Sequence, residues 1–223
     1  MATVEIIPAI LEKDFIEIKK KIKKLEPYFK KVQIDFGDER FVPDKLGCVE
    51  KFEEIKTKLK LEAHIMVEKP WKMIADLVNP GFKKITFHYE AFYKAKKKTR
   101  AFAINNLIKK IKDRNIEVGI AINPETSPSH IVEYLNRIDE ILLLGVNPGK
   151  QGRKFEAKVL EKVNFLKNFK KDIKIGIDGG VNNKNIKEIA EAGIDRVYIG
   201  SFLWKEKNIK KIVQELKVFN FTL

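Results

Sequence analysis

Two aspartates are the clearest candidates for chemistry in this 223-residue chain, because each follows alternating Val or Ile residues typical of a buried strand. Asp35 follows Val32 and Ile34, and Asp178 follows Ile173, Ile175 and Ile177. A lone Asp at a strand end often caps the helix that follows. A carboxylate among β-branched residues is costly to bury without a partner, so two of them favour a functional pair.

Further polar residues lie at strand spacing near these positions. Gln33 precedes Asp35 by two residues, so both side chains project from one face of a strand. His64 and Met66 have the same spacing within a mainly apolar run. A lone histidine there is typically a hydrogen-bonded core residue, but beside two carboxylates it becomes a candidate metal ligand or acid/base group. His88 ends another run and is a candidate for the layer behind the site.

Glycine-containing segments form the third candidate group. They follow three apolar runs late in the chain and comprise Gly149, Gly152, Gly179, Gly180, Gly200 and Ser201. Any one of these segments could be an ordinary turn. Three in succession favour an anion site, since the backbone N–H groups of such loops bind phosphate.

The elements that carry these residues alternate along the whole chain, each β-branched run being followed by an amphipathic helical pattern. The predicted strands are Val4–Leu11, Lys31–Phe36, Leu61–Met66, Lys83–His88, Ile116–Ile122, Glu140–Gly145, Ile173–Asp178 and Arg196–Gly200. The predicted helices are Asp14–Leu25, Val49–Leu59, Trp71–Val78, Ala101–Arg114, Pro128–Asn136, Phe155–Phe169, Asn183–Ala192 and Glu206–Lys217.

Strict alternation predicts a parallel sheet, because parallel neighbours need a long crossover connection and a helix supplies it. Eight such units predict one closed (β/α)8 barrel over residues 1–223, a single domain with its helices outside. No glycine follows the first strand, which argues against a dinucleotide-binding Rossmann fold. Catalytic groups of barrels lie at the carboxyl ends of strands, where Asp35, His64 and Asp178 fall.

The composition limits the classes of partner. The chain has 45 Lys+Arg against 31 Asp+Glu, a formal net charge of +14. These are mostly lysines spread over helical patterns, which favours solvated helix faces over a nucleic-acid site. No apolar run reaches the ~18 residues of a membrane span, and no signal-peptide pattern is visible. A single cysteine, Cys48, fits a reducing cytoplasm. We therefore expect a cytoplasmic protein without nucleic-acid or membrane partners.

Taken in order, these motifs resemble the ribulose-phosphate 3-epimerase family from about Ile6 to Trp204. The matching segments are residues 8–11, 14–15, 35, 41–43, 64–66, 85–88, 121–124, 146–149, 178–181 and 200–201. The resemblance implies a TIM barrel of the ribulose-phosphate-binding type. It also implies an isomerase that inverts C3 of a ketose phosphate, converting D-ribulose 5-phosphate to D-xylulose 5-phosphate or acting on a close analogue.

The resemblance also implies roles for single residues. Asp35 and Asp178 would be acid and base on opposite faces of the sugar, passing through an enediolate that needs stabilisation. A divalent metal ion (Zn, Mn, Fe or Mg) would be held by Asp35, His64, Asp178 and Gln33. The glycine segments would bind the substrate phosphate, and Met66 and Ala9 would contact the sugar. Because the family forms dimers and larger rings, we expect a homo-oligomer.

Several positions depart from the family pattern. Gln33 stands where the family has a metal-binding histidine, and its amide oxygen is a weaker ligand for zinc-like ions. Ala9 replaces a serine, and Gly37 and Leu144 replace two methionines that line the reacting atoms. The charged Glu39-Arg40 pair replaces a small glycine near the mouth.

These departures leave an alternative open: a non-catalytic sugar-phosphate-binding protein on the same scaffold. A barrel aldolase or decarboxylase is a third possibility, with less support. The decarboxylase relatives use an Asp-x-Lys-x-x-Asp cluster, and no lysine follows Asp35 at that spacing. A Schiff-base aldolase needs a lysine inside a strand, whereas Lys174 begins one.

Overall fold

A closed parallel sheet organises the molecule. The computed structural model describes residues 4–149, 154–206, 208–217 and 221–223. Within them the sheet has eight parallel strands: β1 (Glu5–Ile10), β2 (Lys31–Asp38), β4 (Lys60–Met66), β5 (Lys84–His88), β6 (Glu117–Ile122), β7 (Glu140–Leu144), β8 (Lys174–Asp178) and β9 (Arg196–Ile199). Each strand pairs with the next in this order, and β1 pairs with both β2 and β9. The predicted (β/α)8 barrel is therefore confirmed.

The register of the strands brings the candidate residues to one end of the barrel. Asp35 in β2 lies opposite His64 in β4. Asp178 in β8 lies opposite Leu144 in β7 on one side and Tyr198 in β9 on the other. Since all eight strands run in the same direction, their carboxyl ends meet at this edge.

The helical elements surround the sheet. The α-helices of the described residues are α1 (Phe15–Leu25), α2 (Ile74–Val78), α3 (Lys97–Lys112), α4 (Glu161–Phe169), α5 (Ile186–Glu191), α6 (Ser201–Lys205) and α7 (Ile209–Lys217). The 3₁₀ helices are Val49–Glu54, Pro70–Lys72, Tyr89–Phe92, Pro128–Tyr134 and Ala157–Leu160. In α1, Asp14 caps the first turn, while Ile18, Ile22 and Leu25 face the core.

Some predicted helices differ from those in the structure. The segments predicted as Val49–Leu59 and Pro128–Asn136 contain 3₁₀ helices, not α-helices. Each of these helical segments is only six or seven residues long, and 3₁₀ turns are frequent in short pieces of connecting chain. The segment predicted as Glu206–Lys217 contains α7, preceded by the separate short helix α6.

A short antiparallel strand, β3 (Lys45–Leu46), was not predicted from the sequence. It pairs with the end of β2, Gly37 opposite Leu46 and Asp38 opposite Lys45. A Cβ atom at Gly37 would lie 2.6 Å from Val42 Cγ2 and 2.7 Å from the Asp44 carbonyl oxygen. Val42, Asp44 and Leu46 of this hairpin therefore occupy the space next to Gly37, where the family resemblance implies a methionine.

Apolar side chains fill the barrel and the layer around it. A small inner cluster comprises Ile7, Ala9, Ala121, Leu142, Leu144 and Tyr198. The larger cluster lies between the sheet and the helices. At the C-terminus, Phe221 packs against that larger cluster and Thr222 pairs with Glu5. None of the helices in the described residues is long and apolar enough to cross a membrane.

Candidate functional site

A cavity opens at the carboxyl ends of the strands, and it encloses about 570 Å³, part of it open to solvent. The cavity is lined by most of the predicted site residues: Ala9, Asp35, His64, Met66, Gly149, Asp178, Gly179, Gly180, Gly200 and Ser201. Gly152, with Lys150 and Arg153, lies outside the described residues. Gln33 lies behind the lining, in contact with both aspartates.

Two carboxylates and an imidazole converge at the floor of the cavity. Nδ1 of His64 lies 3.1 Å from Asp35 Oδ1 and 3.7 Å from Asp178 Oδ2. One ligand atom from each of the three residues lies within 4.8 Å of the other two. Asp35 and His64 are buried, and Asp178 is mostly buried. The strands β2, β4 and β8 hold these side chains in place by their register.

The amide of Gln33 bridges the two carboxylates on the side that faces away from the cavity. Its Nε2 donates to Asp178 Oδ2 at 2.7 Å and to Asp35 Oδ1 at 3.0 Å. Its Oε1 is buried without a hydrogen-bond partner. A buried amide oxygen without a donor is costly, but rotation would give up both hydrogen bonds of Nε2, so only a cation beside the two carboxylates would favour it. Rotation by 180° would place the oxygen where the two N–H groups now lie.

Burial and crowding of negative charge affect Asp178 most. Burial and the nearby charge of Asp35 together raise its pKa from 3.8 to about 6. His64, the Gln33 amide and the backbone N–H of Gly179 oppose the shift, but they do not cancel it. Asp178 can therefore exchange a proton near neutral pH, as a general acid or base must.

Glycine backbone conformations shape the upper wall of the cavity. Gly149, Gly179 and Gly180 have φ values of 93°, 99° and 73°, which disfavour residues with a side chain. A Cβ atom at Gly180 would come within 2.8 Å of the Phe155 backbone. The loops after β7 and β8 therefore pack closely and leave their backbone facing the cavity.

The rim combines apolar and charged side chains. Leu11, Met66, Leu144, Val146 and Val181 line the cavity with aliphatic surface. Leu144, which replaces a family methionine, therefore keeps an apolar side chain at the reacting end.

The charged pair predicted near the mouth lies on an ordered turn. Glu39 has a positive φ of 60°, and Asp38 Oδ1 accepts hydrogen bonds from the N–H groups of Arg40 and Phe41. The Arg40 guanidinium is 67% exposed and lies 3.7 Å from Glu68. Arg40 is thus exposed and paired with Glu68, and neither Glu39 nor Arg40 lines the cavity.

Two residues behind His64 extend the site, and sequence reasoning identified one of them. His88 Nε2 lies 2.9 Å from His64 Nε2, which agrees with its predicted place in the layer behind the site. Glu90, which was not predicted, lies 3.3 Å from His88 Nδ1. The only sequence signal for Glu90 was its position two residues after His88.

The donor set fits the divalent metal ion that the family resemblance implies. Two carboxylate oxygens and a ring nitrogen converge, and the Gln33 oxygen can join them by rotation of the amide. Oxygen and imidazole ligands of this kind suit Mg²⁺, Mn²⁺, Fe²⁺ or Zn²⁺.

Comparison with known proteins supports the same family. The model of the ribulose-phosphate 3 epimerase family matches residues 5–204. The ribulose-phosphate 3-epimerase of Aquifex aeolicus (strain VF5) is 34% identical over 189 residues, covering 82% of this chain and 81% of the relative. That of Bacillus subtilis (strain 168) is 31% identical over 224 residues, covering 96% and 98%.

Solved structures agree with the fold. A crystal structure of 3-hexulose-6-phosphate synthase matches with a TM-score of 0.72, covering 98% of this chain and all of that chain. Its identity of 13% limits this likeness to the barrel itself. The sequence matches are far closer and extend over the residues that form the cavity, and on these grounds the chain belongs to the ribulose-phosphate 3-epimerase family.

Proposed function

We propose that this chain inverts C3 of D-ribulose 5-phosphate, or of a close ketose phosphate, with Asp35 and Asp178 as the acid/base pair. Membership of the family identifies it as a carbohydrate epimerase. The observation that carries the residue assignment is the convergence of these two carboxylates on one cavity from strands β2 and β8. No observation in the described residues favours the non-catalytic alternative.

Inversion needs two groups, because one base would have to cross the plane of the reacting carbons. One carboxylate removes the proton from C3, and the electron pair of the C–H bond shifts to make the C2 carbonyl an enediolate. The other carboxylic acid then delivers a proton to the opposite face of C3. In the metal-free protein, burial and the charge of Asp35 raise the pKa of Asp178, so this carboxyl group takes up a proton more readily than an ordinary aspartate.

The enediolate carries negative charge next to two acidic side chains, so positive charge is needed nearby. A divalent ion held by Asp35, His64, Asp178 and Gln33 would act as a Lewis acid toward the C2 oxygen. The chain's own contribution is to fix these ligands on strands β2, β4 and β8 and to exclude water with the aliphatic rim. Met66 and Ala9 line the cavity beside the aspartates and would contact the sugar.

The substrate phosphate would lie against the glycine loops after β7, β8 and β9. Support comes from Gly149, Gly179, Gly180, Gly200 and Ser201, which all line the cavity. Small residues let backbone N–H groups approach a dianion closely. Binding the phosphate there would orient C3 between the two carboxylates at the floor of the cavity. A homo-oligomeric state and a cytoplasmic location remain predictions.

The experiment is to incubate the protein with D-ribulose 5-phosphate in deuterated water and follow C3 by NMR. We expect xylulose 5-phosphate with solvent deuterium at C3, because the proton that returns comes from a group in exchange with water. Parallel samples contain a chelator, or the chelator followed by Mn²⁺ or Zn²⁺, and we expect loss and recovery of the label.

Two results would count against the proposal. Substrate binding without deuterium at C3 would contradict the epimerase reaction on this sugar. Full labelling in the chelator would contradict the metal ion while leaving the acid/base pair in place.

A further inference from the structure

A line of buried hydrogen-bonding groups runs from the catalytic end of the barrel into the wall behind it. His64 Nδ1 faces Asp35 Oδ1 at 3.1 Å, and His64 Nε2 faces His88 Nε2 at 2.9 Å. His88 Nδ1 in turn faces Glu90 Oε2 at 3.3 Å. His64 and His88 are fully buried, and the Glu90 side chain is 7% exposed. Water therefore has little access to the three contacts.

The far end of this line is held by a carboxylate whose orientation is set. Glu90 Oε1 accepts hydrogen bonds from the backbone N–H of Asn123 at 2.8 Å and from the Thr126 hydroxyl. Both donors bind the same oxygen, so Oε2 is left to face His88. The Phe41 ring packs against the His88 ring with centroids 4.8 Å apart, which limits rotation of the imidazole.

This line has more hydrogen-bonding contacts than its two imidazole rings have hydrogens. Three contacts join Asp35, His64, His88 and Glu90, and each contact takes one hydrogen. Two neutral imidazoles supply only two, because each carries one N–H. One contact must therefore lack a hydrogen, and the position of the gap fixes the tautomers of both rings.

The contact without a hydrogen is the one between His64 Nδ1 and Asp35 Oδ1. The 2.9 Å contact between the two Nε2 atoms needs a hydrogen, because two bare nitrogens would repel each other at that distance. Both end carboxylates are acceptor-only, but Asp35 Oδ1 already accepts a hydrogen bond from Gln33 Nε2. Glu90 Oε2 has His88 Nδ1 as its donor among the described residues, so the second hydrogen lies on His88 Nδ1. His88 Nε2 then accepts from the N–H at His64 Nε2. His64 Nδ1 is left with a free electron pair aimed between Asp35 and Asp178, the arrangement that a metal ligand requires.

We propose that Glu90, acting through His88, is a positioning residue that fixes His64 in the tautomer with Nδ1 bare for a divalent cation. This inference rests on the proposed metal site, since a bare Nδ1 matters only if that site takes a cation. Glu90 touches neither the ligand atoms nor the cavity.

The substitution Glu90→Gln tests this directly, because the wall around Glu90 fixes the orientation of the new amide. The N–H of Asn123 and the hydroxyl of Thr126 need an acceptor, so they hold the amide oxygen, and the amide nitrogen faces His88 Nδ1. The amide then donates a third hydrogen into the line. His88 must accept at Nδ1 and donate from Nε2, which forces the hydrogen of His64 onto Nδ1 and blocks the ligand atom.

The first readout is the affinity for Mn²⁺ alone, measured by titration of the metal-free protein. Outer-shell partners of metal-binding histidines typically change metal affinity by about 10- to 100-fold, and we expect a loss in this range for Glu90→Gln. The matched control is Thr126→Val, which removes a hydrogen bond to the same carboxylate without supplying a hydrogen to His88. We expect the control to bind Mn²⁺ as the unaltered protein does.

The second readout is ¹⁵N NMR of the histidine rings in the metal-free protein. We expect the hydrogen of His64 on Nε2 in the unaltered protein and in Thr126→Val, and on Nδ1 in Glu90→Gln. An unaltered protein with the hydrogen of His64 on Nδ1 would overturn the inference, and this measurement needs no variant to fold.

The remaining outcomes also decide the question. An equal loss of Mn²⁺ affinity in both variants would overturn the role of Glu90, because it would indicate a general structural effect. If the unaltered protein binds no divalent metal, the proposed metal site fails. The tautomers measured by NMR then still show whether Glu90 controls His64.

Discussion

The barrel contains two buried clusters of charged groups, and they differ in how charge is balanced. The lower layer comprises Glu62, Lys84, Glu140, Arg196 and Tyr198, toward the amino-terminal ends of the strands. The upper cluster comprises Gln33, Asp35, His64 and Asp178, toward the carboxyl ends. The lower layer has two carboxylates and two cations, whereas no Lys or Arg among the described residues pairs with the two upper aspartates.

Every charge in the lower layer has an opposite charge beside it. Lys84 Nζ lies 2.7 Å from Glu62 Oε2 and 2.9 Å from Glu140 Oε1. Arg196 also pairs with Glu140, and the Tyr198 hydroxyl donates to Glu140 Oε1 at 2.7 Å. Burial alone would lower the pKa of Lys84, but the charges of Glu140 and Glu62 outweigh it and raise that pKa.

In the upper cluster no opposite charge outweighs burial, so the neutral form of the buried carboxyl group is favoured. The charge of Asp35 adds to the burial of Asp178, so the pKa of Asp178 rises to about 6. A balanced buried cluster stabilises one structure, whereas an unbalanced cluster at a cavity needs a ligand or a proton. The lower layer therefore maintains the fold, whereas the upper cluster is the part of the barrel interior suited to chemistry.

The largest effect that we expect is on catalysis in the upper cluster. Asp178→Asn or Asp35→Asn should lower kcat by about 10²- to 10⁴-fold, since each removes one partner of the proton transfer. Asn keeps the shape but cannot exchange a proton, so the metal-free protein should remain folded. The check is the initial rate of epimerisation together with urea unfolding of each variant. A variant with normal turnover would show that the replaced aspartate is not catalytic.

In the lower layer we expect a substitution to reduce stability and to leave catalysis nearly unchanged. Lys84→Met leaves Glu62 with no cation beside it and Glu140 with Arg196 alone. Breaking a buried pair by removing one partner costs about 3–5 kcal/mol, which we expect in the free energy of unfolding. At a temperature where the variant is folded, kcat should stay within about threefold of the unaltered value, because Lys84 does not line the cavity.

A double variant is the matched control for this second prediction. Lys84→Met combined with Glu62→Gln removes the cation and one of the carboxylates that it neutralised. We expect it to recover part of the lost stability, because fewer charges are left uncompensated. If Lys84→Met instead abolished turnover in the folded protein, the division between the two clusters would be wrong.

How far the sequence predicts the molecule also differs between the clusters. Asp35, His64 and Asp178 could be placed together from sequence, because alternation with period two and parallel strands put all of them at one edge. The ion pairs of the lower layer could not be predicted from the sequence, because they depend on the register of the strands and on closure of the barrel. Lys84 reaches Glu140, 56 positions along the chain, and also Tyr198, 114 positions away.

Local details of the loops were also beyond the sequence pattern. The strand β3 has only two residues, and no hydrophobic alternation can reveal an element of that length. The role of Glu90 depends on donors from Asn123 and Thr126, which lie 33 and 36 residues away. Such contacts follow from how the loop after β6 packs beside the loop after β5, a property of the whole fold.

The smallest effect that we expect is on the pH dependence of stability in the metal-free protein. The folded-state pKa of Asp178 is about 6, against 3.8 ordinarily. Between these values the folded state binds a proton that the unfolded state lacks, so the free energy of unfolding falls as pH rises. At roughly 1.4 kcal/mol per pKa unit, the fall amounts to about 3 kcal/mol and is complete above pH ~6.

In the lower layer, Glu140 changes the free energy of unfolding with pH in the opposite direction. Burial would raise the pKa of Glu140, but Lys84 and Arg196 outweigh burial and lower it, so its stabilisation is lost as pH falls below about 4.5. Urea unfolding of the unaltered protein and of Asp178→Asn, in chelator from pH 4 to pH 7, separates the two contributions. The stability of the unaltered protein relative to the variant should decline across this range, because only the variant lacks the titrating carboxyl group. A constant difference would mean that Asp178 has an ordinary pKa, and the contrast between a balanced and an unbalanced cluster would then lose its electrostatic basis.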